Sequence, residues 1–290
     1  MGMGETDSII SFGRNKELPQ LSDKILSFYR QTQESKRLTT QTKGQLEFVR
    51  TQEIIKRYLP PSPAVVLDIG GGSGPYACWL AKAGYEVHLV DPVDLHIEQA
   101  KEASNQQLEH PIASISLGDA RDLRFLSMSA DVVLLLGPLY HLVDKNERLL
   151  ALSEAYRVLR DGGVMIAAGI SRFASLLDSF FEGRFEDPVH RDIVQKDLET
   201  GYHRNLTESL KYFTDAYLHH PEVLGSEVIE AGFLHQATLA VEGPAWLFES
   251  FEDYWKDPAL RLVVLDLIRK VEAESSILGM SAHILAIGTK

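Results

Sequence analysis

The chain has 290 residues and a formal charge of −12, from 29 basic and 41 acidic residues. Proteins that bind DNA, RNA or anionic membranes normally present a basic surface, so this acidic balance argues against nucleic acid or a membrane as the partner. The sequence has one cysteine, no apolar stretch of about 18 residues and no secretory signal pattern, so we expect a cytoplasmic protein.

The first 60 residues predict a helical segment that precedes the core. Its pattern is clearest from Gly44 to Tyr58 and ends at Leu59-Pro60-Pro61-Ser62-Pro63. Proline disfavours a helical conformation in the residue before it, so this cluster indicates a boundary. We therefore assign residues 1–60 to an N-terminal helical cap and begin the core at residue 61.

From residue 64 onward, short apolar runs alternate with amphipathic segments. Strands are predicted at residues 64–69, 86–90, 112–117, 131–136 and 164–169, and helices at 76–83, 95–107 and 145–159. The strands are almost wholly apolar and rich in β-branched residues, which is typical of parallel strands covered on both faces. The pattern therefore predicts an α/β fold with a doubly wound sheet.

Residues 171–220 interrupt this alternation with a polar, aromatic and charged segment. It is longer than a simple connection requires, so we predict a substrate-covering insertion. A helix at 222–231 and strands at 234–241 and 282–288 follow, which assigns residues 61–170 and 221–290 to the core. No spacing of histidines in the insertion suits a metal, so no metal site is expected. The residues of the insertion that could line the mouth of a substrate site are His190, Tyr202, His203, Arg204, His219 and His220.

A glycine-rich turn follows the first predicted strand and leads into a helix, at Gly70-Gly71-Gly72-Ser73-Gly74. Glycines adopt positive φ and allow close approach to a ligand, and the helix start offers unpaired N–H groups. The run 72–77 also fits the G-x-G-x-x-A pattern of dinucleotide-binding proteins, so an NAD(P)-dependent oxidoreductase is one alternative. Asp68 argues against it, because a carboxylate there would face a pyrophosphate but would suit an ammonium group.

Acidic residues stand at the end of, or just after, each of the first three predicted strands, at Asp68, Asp91 and Asp119. The carboxyl ends of the strands line the ligand crevice of a doubly wound sheet, so the three carboxylates should meet there. Asp91, followed by Pro92, is placed to accept from the hydroxyls of a ribose. Asp119, with the Ala120 backbone nearby, is placed to accept from an adenine amino group.

On these residues, the sequence resembles the class I S-adenosylmethionine-dependent methyltransferases, whose D-x-G-x-G-x-G motif stands here at residues 68–74. The resemblance spans residues 64–169 and implies a Rossmann-like, seven-stranded sheet whose last strand is antiparallel. It implies S-adenosylmethionine as the cofactor, S-adenosylhomocysteine as the product and a small-molecule acceptor. It further implies that Gly70, Gly72 and Gly74 lie along the methionine portion, Asp91 at the ribose, Asp119 at the adenine and the Gly137 carbonyl at the ammonium group.

The exit of the fourth strand reads Gly137-Pro138-Leu139-Tyr140-His141, where the family places residues near the transferred methyl group. It lacks the leading Asp or Asn of the [DN]-P-P-[YF] motif, which disfavours DNA and glutamine as substrates. Tyr140 and His141 are candidates for the acceptor pocket, and His141 is a candidate general base with a pKa near neutrality. Packing of Tyr140 and helix capping by His141 are the alternative.

The N-terminal segment offers further candidates for contact with the cofactor or the substrate, which are Tyr29, Arg37 and Arg50. An aromatic face such as that of Tyr29 favours a cation. A non-catalytic S-adenosylmethionine-binding protein is a further alternative function, and no pattern indicates an oligomeric state.

Overall fold

The computed structural model describes residues 9–10, 22–32, 34–207 and 209–290. Ahead of the sheet lie three helices, α1 (Asp23–Gln31), α2 (Glu34–Thr40) and α3 (Thr42–Tyr58). The long helix α3 is buried on two sides, since Leu46 lies in one apolar cluster and Ile54 and Ile55 lie in another, and it ends directly before the proline cluster. The predicted cap is therefore mainly helical over residues 22–58, whereas Ile10 forms an isolated β-bridge with Phe125. Residues 1–8, 11–21 and 33 of the predicted range lie outside the described residues.

The described residues form a seven-stranded sheet and a separate two-stranded ribbon. The strands are β1 (Val65–Ile69), β2 (Glu86–Asp91), β3 (Ser114–Leu117), β4 (Ala130–Leu135), β5 (Leu159–Ile170), β6 (Tyr202–His203), β7 (Ala216–Tyr217), β8 (Leu234–Ala240) and β9 (His283–Thr289). The order in the large sheet is β3-β2-β1-β4-β5-β9-β8, and β9 runs antiparallel to both of its neighbours. The α/β class and the antiparallel last strand are confirmed.

Helices pack on both faces of this sheet. The helices after α3 in the described residues are α4 (Pro75–Lys82), α5 (Asp94–Asn105), α6 (Pro138–His141), α7 (Lys145–Val158), α8 (Ala174–Glu182), α9 (Pro188–Thr200), α10 (Pro221–Glu230), α11 (Phe251–Lys256) and α12 (Pro258–Val271), and not all of them contact the sheet. Neighbouring strand residues enter different cores, with Leu67 and Val133 in one and Val66 and Val132 in the other. Burial on both sides explains why these strands are apolar at almost every position.

Strand β5 begins earlier than the sequence pattern predicts. The prediction ends the preceding helix at Leu159 and starts the strand at Val164, but Leu159 already pairs with Ala130 of β4. The register then shifts, and Gly162 adopts φ +79°, so the strand includes residues 160–163, which lie between the predicted helix and the predicted strand. The glycines here form an irregularity within the strand instead of ending the helix.

The segment between β8 and β9 differs from the prediction that residues 221–290 belong wholly to the core. It contains α11 and α12, and Phe251, Trp255 and Leu265 pack with Leu46 of α3. These helices therefore join the N-terminal helices in a layer beside the sheet. Within the described ranges, no helix combines the length and apolar character needed to cross a membrane.

Candidate functional site

A cavity opens at the carboxyl ends of β1, β2 and β4. The chain leaves β1 toward β2 and leaves β4 toward β5, so the sheet has its topological switch point between β1 and β4. The turns after β1 to β4 line the cavity, and α1 to α3 close one side. The sequence-predicted residues on its wall are Tyr29, Arg37, Asp68, Gly70, Gly72, Asp91, Pro92, Asp119, Ala120, Gly137, Tyr140 and His141.

The glycine turn provides backbone that a side chain would obstruct. Gly70, Gly72 and Gly74 have φ values of +71°, +58° and +84°, where residues with a Cβ are strained. A Cβ on Gly70 would lie 2.7 Å from the Pro138 side chain, so the turns after β1 and β4 touch at this point. A Cβ on Gly72 would meet no atom within 4 Å, so the loop is open toward the cavity there.

Asp68 is completely buried at the end of β1 and lines the cavity. Neither carboxylate oxygen has a hydrogen-bond partner of normal geometry among the described residues, although the nearby Ala77 backbone acts to lower the pKa of Asp68. Burial and the negative charge of Asp91 raise the pKa of Asp68 to about 7. A buried acid without a partner is costly, so this side chain is suited to a cationic or hydrogen-bond-donating ligand.

Asp91 ties the turn after β2 to the glycine turn. Its Oδ2 accepts from the Gly72 N–H at 2.9 Å, and its Oδ1 accepts from the Val93 N–H at 2.9 Å and from His96 Nδ1 at 3.0 Å. Three of about four acceptor positions of the carboxylate are therefore used. Accepting both hydroxyls of a ribose would require the exchange of one of these bonds.

Asp119, after β3, is held by Arg121. The carboxylate accepts from the Arg121 backbone N–H at 2.8 Å, from Nε at 2.9 Å and from Nη2 at 2.6 Å. Arg121 is only 2% exposed, so its positive charge is confined beside Asp119. The neighbouring Ala120 is buried on the cavity wall.

His141 and Tyr29 form a hydrogen-bonded pair across the cavity. The Tyr29 hydroxyl donates to Nε2 of His141 at 2.6 Å, and the Tyr29 ring meets the ring of His96 edge-on at 5.4 Å. Burial lowers the pKa of His141 to about 4, although the Asp215 backbone and the Asp91 carboxylate act in the opposite direction. The prediction of a pKa near neutrality is therefore wrong for this form of the protein, because the imidazole is neutral at pH 7.

Arg50 does not lie on the cavity wall. Its guanidinium is fully buried, donates to the Val241 carbonyl at 3.1 Å and forms ion pairs with Glu53 and Glu272. Glu272 follows α12, so Arg50 joins α3 to that helix. Its position does not support the predicted role in cofactor binding.

The six candidates in the insertion also lie away from the cavity wall. His190 contacts Ser179 Oγ at 2.7 Å, and His203 contacts Asp197 at 2.9 Å. The insertion reaches the site instead through Phe213, whose ring lies 5.8 Å from that of His141 and 5.4 Å from that of Phe28 on α1.

Several residues of the cavity wall escaped prediction, namely Glu47, Thr51, Tyr76, His96 and His283. Glu47 and Thr51 are four residues apart on α3, so their spacing places them on one face, but nothing in the pattern shows what that face meets. His96 lies in the first turn of α5, close behind Asp91. The position of His96 just after the end of β2 was the signal that could have predicted it, because loops at the carboxyl ends of strands carry ligand contacts.

The sequence between Leu67 and Ala167 matches the model of a methyltransferase domain. A methyltransferase of Mycobacterium tuberculosis of uncharacterised function is 29% identical over 167 residues, which cover 56% of this chain and 64% of that protein. The ubiquinone/menaquinone biosynthesis C-methyltransferase of Neisseria meningitidis serogroup B is 29% identical over 173 residues, covering 58% and 66%. The chain thus spans just under two thirds of the length of these relatives.

The match over residues 67–167 and the methyltransferase relatives support the predicted resemblance to the class I S-adenosylmethionine-dependent methyltransferases. A solved S-adenosylmethionine-dependent methyltransferase of Thermotoga maritima, described as a possible histamine N-methyltransferase, shares the fold with a TM-score of 0.53 at 19% identity. The superposition covers 91% of this chain and 98% of that one. The methyltransferase-domain match includes Asp68, Asp91, Asp119 and His141, but α1 to α3, the insertion and α11 to α12 lie outside it.

Proposed function

We propose that this methyltransferase transfers the methyl group of S-adenosylmethionine to a small-molecule acceptor. The observation that carries the proposal is the buried, unpartnered Asp68 carboxylate, which faces the same cavity as the open backbone at Gly72. Such a carboxylate needs a cationic or donor group of a ligand to compensate its burial. S-adenosylmethionine carries an ammonium group and a sulfonium.

The described residues fit this cofactor. The backbone at Gly70 and Gly72 would follow the methionine portion, with the Gly137 carbonyl toward its ammonium group. Gly74, also predicted there, lies off the cavity wall and packs near Leu89 and Ala100. Asp91 and Pro92 would hold the ribose, and Asp119 and Ala120 the adenine. When bound, the cofactor supplies a methyl group on a positively charged sulfur, and the thioether that leaves is neutral, so it needs no acid to protonate it. The protein's main task is then to orient the acceptor in a dry site.

Tyr29 and His141 are suited to orienting an acceptor. The Tyr29 hydroxyl and Nε2 of His141 lie 2.6 Å apart, so each side chain fixes the orientation of the other on the cavity wall. His141, with a pKa of about 4, is a weak base at neutral pH. We therefore propose that the pair positions an acceptor that reaches the site already ionised or that needs no strong base.

Several observations favour a small acceptor over a macromolecule. The cavity is covered by α1 to α3, and the net charge of −12 is unfavourable for a nucleic-acid substrate. The similarity to a quinone-biosynthesis C-methyltransferase makes a ring carbon the first acceptor atom to test. Residues 171–220, through Phe213, contribute to the cover as the proposed substrate-covering insertion.

Calorimetric titration separates this function from the oxidoreductase alternative. Wild-type protein should bind S-adenosylmethionine and S-adenosylhomocysteine but not NAD or NADP. Asp91→Ala should weaken both by about 10- to 100-fold, the equivalent of one or two lost hydrogen bonds to a charged group. Asp161→Ala, in an exposed position beside the irregularity of β5, is the matched control. Binding of NAD, or full affinity in Asp91→Ala, would contradict the proposal.

Turnover separates an enzyme from a non-catalytic binding protein. Formation of S-adenosylhomocysteine in the presence of phenols, enols and amines supports the proposal. Tight cofactor binding with no product across this panel would support the non-catalytic alternative.

A further inference from the structure

A second polar group lies at the cavity, away from Asp68, Asp91 and Asp119, with three members on the wall and Glu242 buried beside them. It consists of Arg37 of α2, Glu47 of α3, His283 at the start of β9 and Glu242 after β8. Nδ1 of His283 donates to Glu242 Oε1 at 2.7 Å and lies 3.8 Å from Glu47 Oε2. Arg37 pairs with Glu47 through both of its terminal nitrogens.

The sheet topology places this group on the other half of the cavity. Because β9 runs antiparallel to β5, its first residue, His283, pairs with Ile170 at the carboxyl end of β5. In the sheet order, β1, β2 and β3 lie on one side of β4, whereas β5 and β9 lie on the other. The proposed cofactor residues occupy the first half, so His283 faces the half that remains for an acceptor.

His283 is an imidazolium in this setting. Burial lowers the pKa of His283, but the carboxylates of Glu47 and Glu242 outweigh this effect and raise the pKa to about 9. Arg37 is the one cation that opposes this rise. Nδ1 is engaged by Glu242. Nε2 makes no hydrogen bond among the described residues, and the side chain lines the cavity with 22% of its surface exposed, so a ligand in the cavity can reach it.

We propose that His283 binds an oxygen of the acceptor through its Nε2–H, and that the acceptor is a phenol or an enol held as its anion. This inference rests on the proposed methyl transfer. A charge-assisted hydrogen bond is about twice as strong as a neutral one and favours the ionised form of the oxygen. The proton of the hydroxyl is released to the solvent on binding. An acceptor ionised in this way does not need His141 as a strong base.

A metal ion is the competing occupant of the same group. In the described part of the chain, Glu47, Glu242 and His283 are the one set of ligand atoms close enough together, all within 4.8 Å. A metal would have to displace the Nδ1 proton, which at pH 7 and a pKa of about 9 weakens its binding roughly 100-fold. Glu47 is also committed to Arg37. We therefore infer that Nδ1 of His283 carries a proton and does not bind a metal.

The test uses two probes of the same shape, 4-nitrophenol and 4-nitroaniline, with the protein saturated by S-adenosylhomocysteine. Wild-type protein should bind 4-nitrophenolate and lower the pKa of its hydroxyl by about one unit, read from the visible absorbance. His283→Gln should abolish this shift and weaken 4-nitrophenolate binding about 10-fold or more, without changing 4-nitroaniline binding. His283→Lys keeps the charge between the carboxylates and should retain the shift.

His235→Gln is the matched control, because His235 lies on β8 beside a separate groove. An unchanged 4-nitrophenolate shift in His283→Gln overturns the inference, as does a shift that EDTA removes and Zn²⁺ restores. Calorimetry with S-adenosylhomocysteine accompanies every variant. Failure of the wild type to bind it refutes the proposed function, whereas intact binding with no effect of His283 refutes this inference alone. If His283→Gln does not fold, the test rests on His283→Lys. Loss of the 4-nitrophenol pKa shift in that folded variant contradicts the proposal.

Discussion

Gly72 allows a sharp comparison with Gly162. Both residues adopt positive φ, +58° and +79°, and a Cβ at either position would meet no atom within 4 Å. In the unliganded protein, alanine at either site should cost about 1–2 kcal/mol of backbone strain, offset by about 0.4–1 kcal/mol from the stiffer unfolded chain. Urea unfolding should therefore show similar, mild losses of stability for Gly72→Ala and Gly162→Ala.

Cofactor affinity should separate the two variants. Gly72 lines the cavity, whereas Gly162 lies in β5 where it donates to the Lys290 carbonyl. The added methyl group of Gly72→Ala enters space that the cofactor would fill, and overpacking of this kind costs about 1–3 kcal/mol, or roughly 5- to 150-fold in Kd. Gly162→Ala should bind S-adenosylhomocysteine as the wild type does. Equal calorimetric affinities of the two variants would refute the assignment of the glycine turn to the cofactor.

Three further predictions concern charged groups. The raised pKa of Asp68 means that its ionisation opposes folding. Asp68→Asn should therefore stabilise the unliganded protein relative to the wild type as pH rises from about 4 through 7, by at most about 4 kcal/mol in chemical unfolding. The same variant should lose cofactor affinity. Arg50→Met should lower the free energy of unfolding by about 3–5 kcal/mol, since it leaves buried carboxylates unpaired, while the folded fraction keeps wild-type cofactor affinity. The raised pKa of His283 contributes stability that is fully present below about pH 6.5 and is lost as pH rises to about 9. His283→Gln should therefore flatten the pH dependence of the free energy of unfolding in that window. An unchanged slope would contradict the protonated state of His283.

The core of the fold was predictable because its physical signals are local. A strand buried on both faces must be apolar at successive positions, as Val66 and Leu67 show by entering opposite cores. The acids at the carboxyl ends of β1, β2 and β3 could be brought together by topology alone, because parallel strands end at one edge of the sheet.

The remaining contacts depend on segments that are distant in sequence. The role of Arg50 is set by Glu272, and nothing near Arg50 predicts that partner. Helix α12 escaped prediction because Leu262, Val263 and Leu267 are exposed, which blurs the apolar periodicity of Leu265 and Ile268. His283 reaches the cavity only because β9 inserts antiparallel between β5 and β8.

A crystal structure with bound S-adenosylhomocysteine tests the central claim most directly. We predict the ligand in the cavity at the switch point, with its ribose at Asp91, its amino acid portion along the backbone of Gly70 and Gly72, and the space beside its sulfur open toward Tyr29, His141 and His283. Ligand density elsewhere on the protein, or a sulfur turned away from that space, would contradict the account.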